Sequence, residues 1–464
     1  MHVELVIGEL LAGEPVLALE EEHQLVHHEG PFRSGVPAIR PRLRFMSMAR
    51  HRTLCPVELL SGLRVVEGSA FVAAPLGGLT LAQLGADVIR FDTIGGGLDY
   101  RRWPVTDEGV SLYWAGLNKG KRSIAFNLSK PEGRELATAL ITAPGDNAGL
   151  FLSNFPETGW LADARLRERR GDLVYLNIVG NPDETTAVDY TVNAASGIAS
   201  ATGPVGSLFP VNNALPAWDI ATGLNAVIGI LAAERHRRTT GEGQLVKLSL
   251  ADVAFTMVAN LGFLAQAQVT HENRPPLGND MYGAFGRDFA TRDGRRVMVV
   301  AISLNQWHTL VRATGIEEHL PPMERAFGAD FRKEEDRYRA RDGIAALLKP
   351  WFEARSLDEV RKALDEQGVC WGPYQTFTQL LDDDWRASSA NPVFGEVDHP
   401  GIGPLLTPAS PLRFPHDPPI PPAPAPLLGM HTDDVLESVL GLSPAEIGAL
   451  HDDGVVASAV PVGS

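Results

Sequence analysis

Hydrophobic and polar residues follow regular periods along the chain from about residue 60 onward. Gly62 to Glu67 predicts a short buried strand, Pro75 to Leu84 has helical spacing, and Gly85 to Phe91 predicts a second strand. A strand, a helix and a strand within ~30 residues make a βαβ unit, which implies a right-handed crossover between parallel strands.

This alternation continues to about residue 270. It predicts further elements: strands over 123–127, 149–153, 173–179 and 244–250, and helices over 131–141, 221–238 and 251–267. We therefore expect an α/β fold, with a doubly wound, Rossmann-like parallel sheet in a large domain over residues 58–270.

The pattern changes after residue 275 and predicts a smaller α+β domain over residues 275–390. Its first feature is a β-hairpin of residues 285–291 and 295–302, because Asp293-Gly294 is typical of a type I′ turn. Residues 391–464 are expected to return to the large domain. Two elements are predicted in that last segment: an extended strap over the Pro-rich run 415–426 and a short helix over 432–440.

Residues 1–57 follow neither period and are predicted to be an N-terminal extension. Two interpretations stay open. The extension is a mobile tail, or translation truly starts at Met46 or Met48 and the extension results from a misplaced start codon.

Composition narrows the class of protein. Hydrophobic residues make up 44% and charged residues 21%, as in ordinary folded proteins. The net charge of −16 argues against nucleic acid or an anionic membrane as the main partner.

Two cysteines, Cys55 and Cys370, form neither a disulfide framework nor a metal-ligand cluster, so we expect no metal. No apolar run reaches the ~18 residues of a membrane span, and we expect a soluble, cytoplasmic protein.

Asp219 stands just before the helical pattern that begins at Ala221. Aspartate is a preferred N-cap, because its carboxylate accepts hydrogen bonds from the first free N–H groups of a helix. The alternative is a carboxylate nucleophile, which the same helix end would help to keep ionised. The two interpretations are compatible.

A basic cluster stands out in this acidic chain. It consists of Lys119, Lys121 and Arg122, joined by Arg90, Arg101 and Arg102. Such a cluster is either a solvated charged face or a site for an anionic ligand. The glycines at 95–97 do not match a dinucleotide fingerprint, and the chain lacks the P-loop, zincin and α/β-hydrolase motifs.

Taken together, the motifs resemble the class III coenzyme A transferases in order and spacing. The matching segments are Leu60–Val66, Ala74-Pro75, Leu84–Arg90, Asn118–Ile124, Pro131–Arg134, Ser153–Phe155, Asp219–Gly223, Thr240–Gln244, Gly368–Pro373 and Leu428–Asp433. The likeness covers nearly everything after residue 58. It implies the fold of that family, an acyl-CoA substrate with no permanently bound cofactor, and an interlocked homodimer.

The resemblance also implies roles for particular residues. Asp219 matches the nucleophilic aspartate of the family, and Asp189 matches its second acidic position, although Asp189 is equally explained as a loop-capping residue. The CoA contacts carried over from the family are these: Arg90, Asn154 and Phe155 at strand ends, and Lys121 and Arg122 for the nucleotide phosphates.

Within the family, the runs 66–75, 94–105 and 282–289 are most similar to the branch that acts on mesaconyl-CoA and moves CoA between the two carboxyls of that acid. Val72 stands where other branches often carry Gln, and no glycine-rich lid is evident near Gly278, which favours retention of the free acid. An intermolecular transferase for another dicarboxylic acyl-CoA and a non-catalytic acyl-CoA-binding protein are the alternatives.

Overall fold

The structure, a computed structural model, describes residues 59–417 and 419–459; the N-terminal extension predicted over 1–57 lies outside the described residues. Its strands are β1 Arg64–Gly68, β2 Asp87–Thr93, β3 Arg122–Phe126, β4 Leu150–Ser153, β5 Val174–Val179, β6 Leu245–Ser249, β7 Phe285–Ala290, β8 Arg296–Ala301, β9 Cys370–Pro373, β10 Phe394–His399, β11 Gly403–Pro408 and β12 Val456–Ala457.

Helices connect these strands. They are α1 Ala73–Gln83, α2 Leu112–Leu117, α3 Pro131–Ile141, α4 Asp163–Arg169, α5 Asp189–Ala195, α6 Ile198–Ala201, α7 Ala217–Thr240, α8 Leu250–Asn260, α9 Phe263–Thr270, α10 Leu304–Thr314, α11 Leu320–Phe327, α12 Glu334–Arg339, α13 Arg341–Glu353, α14 Leu357–Gln367, α15 Phe377–Asp383, α16 Thr432–Ser438 and α17 Pro444–Asp452.

The large sheet has seven strands in the order β12-β3-β2-β1-β4-β5-β6. All neighbours pair in parallel except β12, which runs antiparallel to β3 at the edge. Strand order reverses between β1 and β4, and the crevice at the carboxyl ends of strands at such a switch point is where open α/β sheets bind ligands. The predicted doubly wound α/β fold is confirmed.

Two hydrophobic cores cover the two faces of this sheet. On one face α1 and α7 pack against β1, β4 and β5 through side chains such as Leu81, Leu152 and Ile230. On the other, Phe91, Phe126 and Phe151 pack with α3 and with α16 and α17 near the C-terminus. The strands are buried on both sides, which is why they read as continuous apolar runs in the sequence.

A second, three-stranded antiparallel sheet has the order β7-β8-β9 and its own core with α10, α13 and α14. The predicted hairpin of β7 and β8 is confirmed. The type I′ turn is wrong, because only Gly294 of the Asp293-Gly294 pair has a positive φ (+76°). Asp293 instead accepts hydrogen bonds from the Thr291 hydroxyl and from the Leu357 N–H, which fixes the turn to α14.

The single helix predicted over 251–267 is also wrong, because it breaks into α8 and α9 at Leu261 and Gly262. Gly262 has a φ of +82° and starts the second helix. Among the described residues, no single helix is long and apolar enough to cross a membrane; the bent pair α8 and α9 meets the length and composition criteria only together. The cytoplasmic location stays a prediction.

Candidate active site

Asp219 lies in the first turn of α7, as the third residue of the helix. The helix begins at Ala217 and its N-cap position is Pro216, so the prediction that Asp219 is the N-cap is wrong. The Asp219 side chain is half-buried. Only burial and neighbouring charges act on its carboxylate, and no hydrogen bond to it is present in the described part of the chain. That carboxylate is therefore not used by the fold.

Asp189, the first residue of α5, is the group that caps α7. Its Oδ2 accepts hydrogen bonds from the main-chain N–H of Trp218 at 2.8 Å and of Asp219 at 3.1 Å, and the residue is 4% exposed. The Trp218 indole donates to Asn193 Oδ1 at 3.1 Å and ties α5 to the same helix end. Asp189 thus caps a helix rather than a loop, and its role as a second catalytic acid stays a prediction.

The environment of Asp219 makes its carboxylate more basic than usual. Burial, with the negative charge of Asp189 beside it, raises the pKa of Asp219 to about 6, while Arg102 acts in the opposite direction. A carboxylate with this pKa is still ionised at neutral pH. It is also a stronger nucleophile than an ordinary aspartate, because nucleophilicity increases with basicity.

The segment between β1 and α1 lies beside Asp219. Helices α1 and α7 run in parallel and touch at Gly223, where an added Cβ would lie 2.6 Å from the Ala73 carbonyl oxygen. Gly77, one turn further along α1, packs against Ala226 of α7 in the same way. Because Asp219 precedes Gly223 by about one helical turn, the residues that precede Ala73 lie next to the Asp219 carboxylate.

This β1–α1 loop, residues 69–72, is held by hydrogen bonds at successive residues. Asn154 accepts from the Ala70 N–H at 2.9 Å and donates to the Ala70 carbonyl at 2.7 Å. Asp99 accepts from the Phe71 N–H at 2.9 Å, and Phe71 has a φ of +67°, which is uncommon for a bulky residue. Arg90 donates to the Ser69 carbonyl at 3.0 Å. The loop is therefore rigid where it faces Asp219.

Asn154 and Phe155 lie where the sequence places them, at the carboxyl end of β4 in the crevice of the sheet. The Asn154 amide both accepts from and donates to Ala70, and the centroid of the Phe155 ring lies 6.4 Å from that of Phe91. Both residues shape the crevice floor, and their contact with CoA stays a prediction.

Arg90 and Lys121 are buried inside a charged cluster and do not face the crevice as predicted. Arg90 is 1% exposed and pairs with Asp92 and Asp99 at 2.9 and 3.1 Å. The Lys121 ammonium has no exposed surface and contacts Glu67 at 2.9 Å. Both side chains also stabilise the β1–α1 connection, because Arg90 donates to the Ser69 carbonyl and Lys121 to the Pro75 carbonyl. In this structure neither offers an N–H to a phosphate, and we correct their assignment from CoA ligands to supporting residues.

Arg122 also uses its charge within the fold. It pairs with Asp87 on β2 and with Asp434 on α16, so its guanidinium links the sheet to the C-terminal segment. Two acidic neighbours neutralise the charge that was predicted to meet the nucleotide phosphates. Three members of the basic cluster, Arg90, Lys121 and Arg122, therefore form internal ion pairs.

Replacing Lys121 by Ala is expected to lower the free energy of unfolding by about 3–5 kcal/mol, because the buried Glu67 would lose its closer cation and keep the longer contact with Arg90, at 3.5 Å. Arg122→Ala is the matched control and should cost only about 0–1 kcal/mol, since its pairs are partly exposed. Urea denaturation of the purified variants measures both. Equal, small losses would show that Lys121 is not a buried structural cation.

Three residues near Asp219 were not assigned to the site from the sequence. The Arg102 guanidinium lies over the rings of Tyr113, at 5.0 Å, and Phe71, at 5.7 Å. Burial and the charge of Asp99 raise the pKa of Tyr113 to about 12, with a further contribution from Asp219. Arg102 was visible only as one member of the basic cluster. Nothing in the sequence indicated the left-handed conformation of Phe71.

No group of three or more His, Cys, Asp or Glu side chains suited to a metal ion occurs in residues 59–417 and 419–459. A cavity of about 400 Å³ lies between residues 100–115 and 399–427. Aromatic side chains line it, including Tyr100, Trp103 and Trp114.

Comparison with known proteins places this arrangement in one family. The sequence profile of CoA-transferase family III matches residues 60–432. The 2-methylfumaryl-CoA isomerase of Chloroflexus aurantiacus is 56% identical over 400 residues, which cover 86% of this chain and 98% of that protein. The succinyl-CoA:mesaconate CoA-transferase of Haloarcula marismortui is 28% identical, over 82% of this chain and 96% of its own length.

A solved structure shows the same fold. The crystal structure of a CAIB/BAIF family protein from Brucella suis superposes with a TM-score of 0.66 at 27% identity, covering 81% of this chain and 98% of that one. Profile, relatives and fold agree on the same family. The chain belongs to CoA-transferase family III.

Proposed function

We propose that this enzyme converts 2-methylfumaryl-CoA into 3-methylfumaryl-CoA by moving CoA from one carboxyl of the acid to the other. The observation that carries the proposal is the Asp219 carboxylate, which is basic and unused by the fold, in a chain 56% identical to a 2-methylfumaryl-CoA isomerase. Covalent catalysis by a carboxylate divides one difficult acyl transfer into easier steps.

In the proposed mechanism, the ionised Asp219 attacks the thioester carbonyl, which gives a mixed anhydride and CoA thiolate. The thiolate then attacks the aspartyl carbonyl of the anhydride, which gives an aspartyl-CoA thioester and free methylfumarate. The other carboxylate of the same acid attacks that thioester, which expels the CoA thiolate again and forms a second anhydride. Attack of the thiolate on the substrate carbonyl releases 3-methylfumaryl-CoA and restores Asp219. A thioester is exchanged for a thioester, so no ATP is consumed.

The site supports retention of the acid between the two half-reactions. Val72 lies in the β1–α1 loop beside Asp219 and offers no side-chain hydrogen bond to a free acid that enters from solution. A retained acid has a high effective concentration at the aspartyl thioester, so its second carboxylate reacts before an external acid does.

An intermolecular transferase is the second candidate. The similarity to the succinyl-CoA:mesaconate CoA-transferase of Haloarcula marismortui favours it, because that relative is 28% identical over 82% of this chain. Incubation with 2-methylfumaryl-CoA alone separates the two. The intramolecular enzyme forms 3-methylfumaryl-CoA without an added acid, whereas an intermolecular enzyme requires a free acceptor acid.

We place CoA in the crevice at the carboxyl ends of β1 and β4, where Asn154 and Phe155 form the floor. Open α/β sheets bind their ligands at this switch point. The thioester carbonyl must also reach Asp219, and the rigid β1–α1 loop connects that floor to the nucleophile.

We further propose a homodimer, because the outer side of α7 to α9 is apolar and uncovered in the single chain. Ile228 is 65% exposed and Val269 81%, and α9 buries none of its residues. Contiguous apolar surface of this kind marks an interface. We expect twice the chain mass by light scattering after size exclusion, and a monomer for Ile228→Glu. A wild-type monomer at micromolar concentration would contradict the proposal.

A further inference from the structure

Arg102 has a guanidinium group without an acidic partner in the described ranges 59–417 and 419–459. Two other arginines of the basic cluster differ: Arg90 and Arg122 each bind two or more carboxylates. The Arg102 side chain is exposed and lies over two aromatic rings, those of Tyr113 and Phe71. A cation over aromatic faces keeps its in-plane N–H groups free to bind an anion.

The positions of the Phe71 and Tyr113 rings place the Arg102 guanidinium close to Asp219. Phe71 is in the β1–α1 loop, which lies next to Asp219 through the contact of Ala73 with Gly223. Arg102 is also the cation that acts on the Asp219 carboxylate electrostatically. It does not bond to that carboxylate, so its N–H groups are available to something else in the same space.

Tyr113 provides a second observation at this place. Its hydroxyl oxygen is buried and has no hydrogen-bond partner in the part of the chain that the structure describes. A buried, unpartnered hydroxyl is costly, and such groups are rare in folded proteins. Its ring lies under the Arg102 guanidinium at 5.0 Å, so the two unpartnered groups belong to the same side-chain cluster.

We propose that Arg102, together with the Tyr113 hydroxyl, binds the substrate carboxylate that is not joined to CoA. The inference rests on the proposed function and names the residue that makes the enzyme specific for dicarboxylic acyl groups. A planar guanidinium binds a carboxylate through two parallel N–H bonds, which fixes direction as well as affinity.

The proposed reaction needs such a group in both half-reactions. While one carboxyl of methylfumarate is bonded to CoA or to Asp219, the other is an anion that must be held close by. When the acid is released as a dianion, the same guanidinium retains it until the second carboxylate reaches the aspartyl thioester. One cation beside Asp219 can therefore bind the free carboxylate of both 2-methylfumaryl-CoA and 3-methylfumaryl-CoA.

The test compares two thioesters that differ only in the distal group. One is 2-methylfumaryl-CoA; the other is (E)-2-methylbut-2-enoyl-CoA, in which a methyl replaces the distal carboxylate. Binding is measured by calorimetry in full-length Asp219→Asn, which cannot turn the ligand over. Arg102→Gln in that background should weaken the affinity for 2-methylfumaryl-CoA at least about tenfold. It should change the affinity for the monocarboxylic thioester less than about threefold.

Two further variants sharpen the comparison. Arg102→Lys keeps the charge without the two parallel N–H bonds and should restore part of the lost affinity. Arg101→Gln is the matched control, because Arg101 lines the 400 Å³ cavity whereas the contacts with the Phe71 and Tyr113 rings are made by Arg102, and it should leave both affinities unchanged. Equal losses for both thioesters in Arg102→Gln, or no loss, would overturn the inference.

Isomerisation by the wild type is measured in parallel, so the two proposals fail separately. Suppose that the wild type forms no 3-methylfumaryl-CoA, while Arg102→Gln still weakens binding of the dicarboxylic thioester selectively. The proposed reaction is then wrong, and recognition of the dicarboxylate by Arg102 stands. Isomerisation without that preference would sink the inference alone. Failure of the Asp219→Asn variant to bind either thioester would count against both.

Discussion

Replacement of Asp219 by Asn or Ala is expected to reduce turnover at least about 10⁴-fold, because the group that forms both covalent intermediates is removed. The fold should survive. Within residues 59–417 and 419–459 the Asp219 side chain accepts no hydrogen bond, and the cap of α7 is supplied by Asp189. Affinity for the acyl-CoA should therefore change little, and the loss should appear in kcat.

Stability provides the control for this prediction. The folded pKa of Asp219, about 6, lies above the ordinary value of 3.8, so the ionised side chain opposes folding above pH 6 and protonation favours folding below it. Asp219→Asn removes that charge. At pH 8 it should raise the free energy of unfolding by about 1–2 kcal/mol, after allowance for partial exposure. An inactive variant that is less stable than wild type would not support a catalytic role.

The pH dependence of kcat/KM should follow the ionisation of Asp219 in the free enzyme. Only the carboxylate attacks, so activity should fall about tenfold per pH unit below pH 6 and level off above it. Arg102 lowers the pKa of Asp219 and Asp189 raises it. Arg102→Gln should therefore move the acidic limb to higher pH, and Asp189→Asn should move it to lower pH.

Asp189→Asn suits this experiment because the Asn carbonyl oxygen can still accept the hydrogen bonds from the N–H groups of Trp218 and Asp219. All variants are assayed with the same thioester, so titration of the substrate cancels in the comparison. If both variants shift the acidic limb of the kcat/KM profile in the same direction, or if neither variant shifts it, another group controls the profile.

The parallel sheet could be predicted from the sequence because its strands are short apolar runs that alternate with helical periods. These local signals are complete within each element. The break between α8 and α9 was missed because it depends on a positive φ at Gly262, and a glycine alone does not indicate which conformation it will take. The type of the turn at Asp293-Gly294 was wrong because Asp293 does not take a positive φ and instead binds the Leu357 N–H, a contact distant in sequence.

Asp219 could be named from the sequence, whereas its surroundings could not. Charge in a sequence does not show whether a cation faces a ligand or another side chain. Lys121 was predicted to bind phosphate, but Glu67 lies 54 residues before it in the chain and takes its charge in the fold. Arg102 and Tyr113 come together with Phe71 only through tertiary packing. Which of these cations is available to a ligand is therefore decided by contacts between residues that are distant in sequence.

The central claim, transfer of CoA within one acid, is tested most directly by an isotope experiment. Unlabelled 2-methylfumaryl-CoA is turned over in the presence of excess labelled free methylfumarate, and the 3-methylfumaryl-CoA product is analysed by mass. If the acid stays bound between the half-reactions, the product carries little label. A product whose labelling approaches that of the free pool would contradict intramolecular transfer and establish exchange with solution instead.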